Sequence, residues 1–198
     1  LFCLKLNGTE TDSVCNYRAD NPENHLSHNN VYHVFRDTDG TIVVSTRNGL
    51  NMYNRAENSF DKIISAENAN MANFYRTVYR DKSGMLWIGT WGGLYVCKSF
   101  DDLQTGNYEL LTHGNSESKS ISSGQVMNVF QDKSGTVWIG TEEGINRFDP
   151  YQNQFQALGG EIMNGLKEQT ATEFSKWHDG ILILTMSDGL LFKKDRVI

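Results

Sequence analysis

The chain has 198 residues, with 18 Lys+Arg against 24 Asp+Glu and a formal net charge of −6. That balance excludes nucleic acid, or an anionic membrane surface, as a partner held by bulk charge, since both need a clustered basic face. An apolar share of 38% and an aromatic share of 11% exclude global disorder, and the longest apolar run, Ile181–Leu184, is far too short for a bilayer-spanning helix.

Taken in chain order, Leu1-Phe-Cys-Leu-Lys5 reads as a short strand that matches Leu94-Tyr-Val-Cys-Lys98 further along. Cys3, Cys15 and Cys97 are odd in number and widely spaced. They make neither a disulfide framework nor a metal site; one bridge with one free thiol is an option, and three buried free thiols are the plainer expectation. His25-Leu-Ser-His28 places two histidines three apart, in a loop without a cysteine or carboxylate partner, so no metal is expected there.

A repeated unit then begins. Val31-Tyr-His-Val-Phe35 is a strand rich in β-branched and aromatic residues. Asp37-x-x-Gly40 follows as a turn: the carboxylate accepts from turn amides, and the glycine tolerates the reversal. The pattern recurs as DTDGTIVVSTRNGL from Asp37, DKSGMLWIGTWGGL from Asp81, DKSGTVWIGTEEGI from Asp132 and WHDGILILTMSDGL from Trp177. In every copy a second glycine stands nine residues after the first: Gly40 and Gly49, Gly84 and Gly93, Gly135 and Gly144, Gly180 and Gly189. Leu86-Trp-Ile88 and Val137-Trp-Ile139 read as strands buried on both faces. Gly89 and Gly140, with Thr90 and Thr141, are small enough for a neighbour to approach closely. Third strands begin at Leu50, Leu94, Ile145 and Leu190; fourth strands centre on Phe60–Ile64, Tyr108–Thr112 and Phe155–Leu158. In the last copy Lys167–Lys176 falls in the first-strand slot.

Four short antiparallel strands in each repeat of 44 to 51 residues make an all-β chain, a β-propeller of four-stranded blades. About four blades are expected, divided as residues 1–25 (partial), 26–68, 69–115, 116–165 and 166–198 (partial). The two ends share one phase of the repeat, so a segment of a larger propeller is expected, with a compact four-bladed ring as the alternative.

The string from Val129 to Asp149, Val-Phe-x-Asp-x-x-Gly-x-x-Trp-Ile-Gly-Thr-x-x-Gly-Ile-x-x-Phe-Asp, resembles the two-component regulator propeller repeat. The second copy departs from it at Cys97-Lys98. The first has Val43 for the tryptophan and Ser45 for the glycine. The fourth has Trp177 for the aspartate and Ile183 for the tryptophan. The resemblance implies a seven-bladed propeller in the periplasmic region of a hybrid histidine kinase anchored in the inner membrane. It also implies oligosaccharide sensing, with the rest of the ectodomain as a partner. No kinase motif lies in this chain.

The recurring Trp87, Trp138, Asp37, Asp81 and Asp132 read as structural. The residues that vary at constant framework positions are the candidates for binding. They are Arg47 and Asn48, Trp91, and Glu142 and Glu143 in the loops between second and third strands, with Ser187-Asp188 in the fourth copy. The loops leading into first strands, His28–Asn30, Asn70–Phe74 and Ser122–Gln125, are expected on the same face. Arg76 and Asn128, on inner strands, are candidates to line the channel. Trp91 offers an aromatic platform for the C–H face of a sugar, flanked by polar groups for its hydroxyls. No Gly-x-Ser-x-Gly, His-Glu-x-x-His or phosphate-cradling glycine loop occurs, so no catalytic residue, cofactor or metal is expected. The alternatives to a glycan sensor are a scaffold for protein–protein contact or homodimerisation and, on Glu142, Glu143 and Asp188 alone, a polysaccharide-active enzyme.

Overall fold

A computed structural model of the chain describes residues 1–7, 10–22, 26–63, 74–114, 120–149, 154–157, 170–178, 180–186 and 190–194. Its strands follow the repeat. β1 (Phe2–Asn7) and β2 (Glu10–Asn16) form a two-stranded sheet. Three four-stranded sheets come next. The first is β3 (Val31–Arg36), β4 (Ile42–Thr46), β5 (Gly49–Asn54) and β6 (Ser59–Lys62). The second is β7 (Tyr75–Arg80), β8 (Leu86–Thr90), β9 (Leu94–Cys97) and β10 (Glu109–Leu111). The third is β11 (Val126–Gln131), β12 (Val137–Thr141), β13 (Gly144–Asp149) and β14 (Gln154–Ala157). A sheet of β15 (Ala171–Trp177), β16 (Gly180–Thr185) and β17 (Leu190–Lys194) closes the series. Every sheet is an antiparallel meander in chain order, the arrangement of a propeller blade.

One element departs from the expected all-strand unit. Residues Phe100–Thr105 form a single helical turn, α1, between β9 and β10. Ser99 caps it, its hydroxyl accepting from the Asp102 amide at 3.0 Å. Gly106, with φ of 82°, ends it, and Phe100 and Leu103 are buried. This insertion is why the spacing from Gly84 to Gly135 exceeds that of the other repeats.

The core is divided among the gaps between sheets. Val43 and Leu50 meet Tyr75, Val78, Leu86 and Ile88 in one cluster. Trp87 and Leu94 meet Val126, Val129 and Ile139 in the next, and Trp138 and Ile145 meet Ala171, Phe174 and Ile183 in the third. First strands are therefore innermost and side by side, β3 against β7, β7 against β11 and β11 against β15. The glycines of β8 and β12 permit this approach. A Cβ on Gly89 would stand 2.7 Å from Val126 of the next blade, and one on Gly140 would stand 2.7 Å from the Ala171 carbonyl. Where the first blade carries Ser45 instead, its hydroxyl is buried without a hydrogen-bond partner.

The turn aspartate and the tryptophan act together. Asp81 Oδ1 accepts from the Ser83 and Met85 amides at 2.8 and 3.0 Å, while Oδ2 accepts from the Trp87 indole at 2.8 Å. Asp132 and Trp138 repeat the indole bond at 2.8 Å. In the first blade, Val43 leaves Asp37 without that donor. Arg80 of the second blade takes its place through two 2.6 Å bonds, and its guanidinium holds the Asp37 carboxyl below the usual carboxylate range.

A further contact between blades joins His33 on β3, whose Nδ1 accepts from the Val78 amide at 3.2 Å. Burial pushes the imidazole below its ordinary value.

Gly89→Ala lowers the unfolding free energy in urea denaturation by about 1–3 kcal/mol through overpacking, whereas Ser45→Ala raises it by about 1 kcal/mol by removing an unpaired buried hydroxyl. The His33 contribution is complete above the unfolded-state value of about 6.5 and is lost as pH falls through it towards the lower folded value, at no more than about 1.4 kcal/mol per pH unit. Stability measured from pH 7.5 to 5 falls less steeply in His33→Asn than in the parent.

Candidate ligand-binding face

The loops between second and third strands are rigid because their polar groups are satisfied from within. Thr46, Thr90 and Thr141 are fully buried, and their hydroxyls donate to the carbonyls of Gly49, Gly93 and Gly144 at 3.0, 2.9 and 2.9 Å. The Thr46 and Thr90 hydroxyls accept in turn from the Asn48 and Gly92 amides. These threonines are thus turn clamps as well as small residues. In two blades a serine and an asparagine complete the clamp. Ser27 and Ser122 bond Thr46 and Thr141 at 2.7 and 2.8 Å. Their amides donate to Asn51 and Asn146 Oδ1 at 2.7 and 3.0 Å. The sequence carried a signal for this network: each serine lies 19 residues before its threonine and 24 before its asparagine.

Each of these loops is also pinned to the segment leading into its own first strand. The amides of Arg47, Trp91, Glu142 and Met186 donate to the carbonyls of Asn30, Phe74, Gln125 and Thr170 at 3.0, 3.2, 3.0 and 3.2 Å. Arg47, Trp91 and Glu142 therefore occupy equivalent places at one end of successive blades, as expected of loops on a common face.

Among them, Arg47 and Trp91 meet through Phe74. The Arg47 guanidinium carbon lies 5.1 Å from the Phe74 ring centroid. Phe74 and Trp91 stand edge to face at 4.7 Å and 76°. Trp91 is half-buried, and its Nε1 is a buried donor without an acceptor. The face continues into the third blade: a Cβ on Gly124 would lie 3.9 Å from the Trp91 carbonyl, and next to it Gln125 holds Glu142, whose carbonyl accepts from the Thr170 hydroxyl at 2.8 Å.

Other candidates are placed differently. Asn48 is a turn residue, its side-chain amide donating to the Ser27 carbonyl at 3.4 Å. Glu143 is exposed. Arg76 stacks on Tyr32 at 4.3 Å from the ring centroid. Both sit at a bulge that all four first strands share: the register slips between Val31 and His33, Tyr75 and Thr77, Val126 and Asn128, and Ala171 and Glu173. The bulge leaves Tyr32, Arg76, Met127 and Thr172 without a cross-strand partner and re-aims each side chain. Asn128 does not share that position with Arg76. It lies opposite Gly140 in the ladder, on the face that meets β15, as His33 and Thr77 do in their blades. Ser187, Asp188 and residues 70–73 lie outside the described residues, as does His25; His28 Nδ1 accepts from the Asn30 amide at 2.8 Å. Among the described residues no group of three His, Cys, Asp or Glu could hold a metal, and no helix is long and apolar enough to cross a membrane.

The family model described as "Two component regulator propeller" matches residues 71–92 and 120–143, so the chain carries these repeats in its second and third blades. Among curated proteins none matches this sequence. Solved structures share the fold. The extracellular domain of a protein described as a hybrid two-component system from B. thetaiotaomicron is 20% identical with a TM-score of 0.70; the match covers 98% of this chain and 28% of that one. A second such extracellular domain from B. thetaiotaomicron is 21% identical with a TM-score of 0.67, over 92% of this chain and 23% of that one. PorZ, a surface component of the type-IX secretion system of Porphyromonas gingivalis, is 16% identical with a TM-score of 0.60, over 83% and 26%. The chain thus spans about a quarter of the length of these structures.

The clamp under this face is testable. Thr141→Val keeps the side-chain volume and removes the hydroxyl that joins Ser122 to the Gly144 carbonyl. It costs about 1–3 kcal/mol in urea denaturation.

Proposed function

We propose that this chain, built of two-component regulator propeller repeats, is part of the ligand-sensing region of a two-component sensor outside the cytoplasm. In this reading the end face bearing Arg47, Phe74 and Trp91 takes an oligosaccharide. The observation that carries it is Phe74, held between Arg47 of one blade and Trp91 of the next. An aromatic pair gives the C–H face of a sugar an apolar platform. Arg47 and Glu142 supply a donor and an acceptor for hydroxyls at its rim.

The same placement supports a route for the signal. A ligand seated on Arg47 and Trp91 bridges two blades, so its binding energy depends on how those blades pack. It therefore favours one packing over another by its differential affinity for the two. The downstream partner in this reading is a histidine kinase of the same protein, anchored in the inner membrane.

A second reading, a scaffold for protein contact or self-association, draws on exposed apolar side chains at the first and last blades: Val34 on β3, and Leu184 and Met186 at the end of β16. Concentration-independent light scattering would remove the self-association form of it.

Titration calorimetry of the full-length sensor's soluble region against a panel of neutral and acidic oligosaccharides tests the first reading. Saturable binding of at least one member is expected, weakened tenfold or more by Trp91→Ala and by Arg47→Ala while the unfolding midpoint is kept. Absence of binding across the panel, or binding unchanged in both variants, overturns it.

A further inference from the structure

All three cysteines are free thiols, and the fold sorts them. Cys97 is buried. Burial, with the Asp102 charge adding to it, pushes its thiol up to about 11, which leaves it a poor nucleophile. Cys3 is exposed and Cys15 half-buried, so the expectation of three buried thiols does not hold.

Cys3 and Cys15 are also directly opposed across the β1–β2 ladder. Next to them, Leu1 and Tyr17 exchange both backbone hydrogen bonds, at 2.8 and 3.1 Å. Two residues along each strand, Cys3 and Cys15 fall at the same kind of pair. There the Cα atoms of an antiparallel ladder stand about 5.5 Å apart, inside the span of a disulfide, while the Cβ atoms stand at the wide end of about 4.5–5.5 Å against about 3.5–4.5 Å in a disulfide, so closing the bond draws the two strands together and leaves it strained and readily reduced. Opposed residues share a face of the sheet. Here it is the face of Leu1 and Cys15 that packs on Tyr17, Val44 and Phe60.

We propose that Cys3 and Cys15 are a redox pair that closes an intrachain disulfide between β1 and β2, with Cys97 left reduced. The oxidant is a small-molecule or protein disulfide. The Cys3 thiolate attacks it, breaking its S–S bond, forming a mixed disulfide and expelling one thiolate. The Cys15 thiolate then attacks the Cys3 sulfur, forms the Cys3–Cys15 bond and expels the second. Two electrons pass to the oxidant, and the protons lost by the two cysteines are taken up by the two released thiolates. The bond closes the loop of residues 4–14. Its effect reaches beyond the ladder, because Tyr17, two residues after Cys15, ties β2 to the neighbouring hairpin. Its hydroxyl donates to Asn58 Oδ1 at 2.7 Å, beside the Tyr53 hydroxyl at 2.8 Å, and its ring stands edge-on to Phe60 at 5.1 Å. Oxidation fastens β1 to that anchored strand.

The test is native incubation of the protein with a glutathione disulfide and glutathione mixture, then alkylation and non-reducing tryptic mapping. The expected product is peptide 1–5 linked to peptide 6–18, with Cys97 alkylated only after denaturation. Dithiothreitol reverses the link, and Cys3→Ser and Cys15→Ser each abolish it. The oxidised parent should unfold roughly 5 °C above its reduced form, a difference absent in Cys3→Ser. Separate glutathione adducts on Cys3 and Cys15, a link from either to Cys97, or a link between two chains would overturn the proposal.

Discussion

A sheet of four short strands has two faces to cover and nothing within itself to cover them, so each blade depends on its neighbour. The constraint that decides this structure is the closeness of that approach. Gly89 and Gly140 have no side chain because Val126 and Ala171 of the following inner strands occupy the space a Cβ would need. Stability is then a chain of interfaces rather than one core, with each apolar cluster drawn from two sheets. A change at one glycine is felt at the junction it serves.

Close approach also explains the chemistry of the turns. A carboxylate at the start of a hairpin has more accepting capacity than the turn amides use. Asp81 and Asp132 spend the remainder on the indole of their own blade, which orients Trp87 and Trp138 into the gap before the next sheet. Asp37 has no such indole and receives Arg80 from the next blade instead. The last copy lacks both the aspartate and the tryptophan: Trp177 stands in the aspartate's place, and a shorter hairpin puts Leu182 opposite Ser175, where Trp138 stands opposite Phe130, so that Ile183 takes the place of Ile139 and not, as the sequence spacing suggested, that of the tryptophan. Losing the acceptor together with the donor leaves no unpaired group, whereas losing one alone calls for a replacement partner, as Arg80 provides.

On the end face, rigidity and variation are separated. Thr46, Thr90 and Thr141 hold the turns from beneath, and the first residue above each threonine meets the segment before its first strand through a backbone amide, a bond that any residue type but proline can make. Arg47, Trp91 and Glu142 can therefore differ without cost to the blade. The repeated bulge does similar work on the inner strands: by adding one residue it turns Tyr32, Arg76, Met127 and Thr172 out of the alternation that buries their neighbours.

The sequence by itself determined the blade: strand order, the Asp-x-x-Gly turns, the tryptophan strand and the variable loop pairs. Each of these is decided by residues within one repeat, where spacing alone records the geometry. It also placed Arg47, Trp91 and Glu142 on a common face. It did not reveal that Phe74 joins the first two, that Asn128 faces the next blade, that Ser27 and Asn51 share a clamp with Thr46, or that Cys3 stands opposite Cys15. Those facts depend on which side chains meet once strands are paired in register and blades are packed. A bulge of one residue, or a neighbour 43 positions away such as Arg80 beside Asp37, changes the answer without changing the pattern. Tertiary structure decided them because distance across an interface is not written in the spacing along the chain.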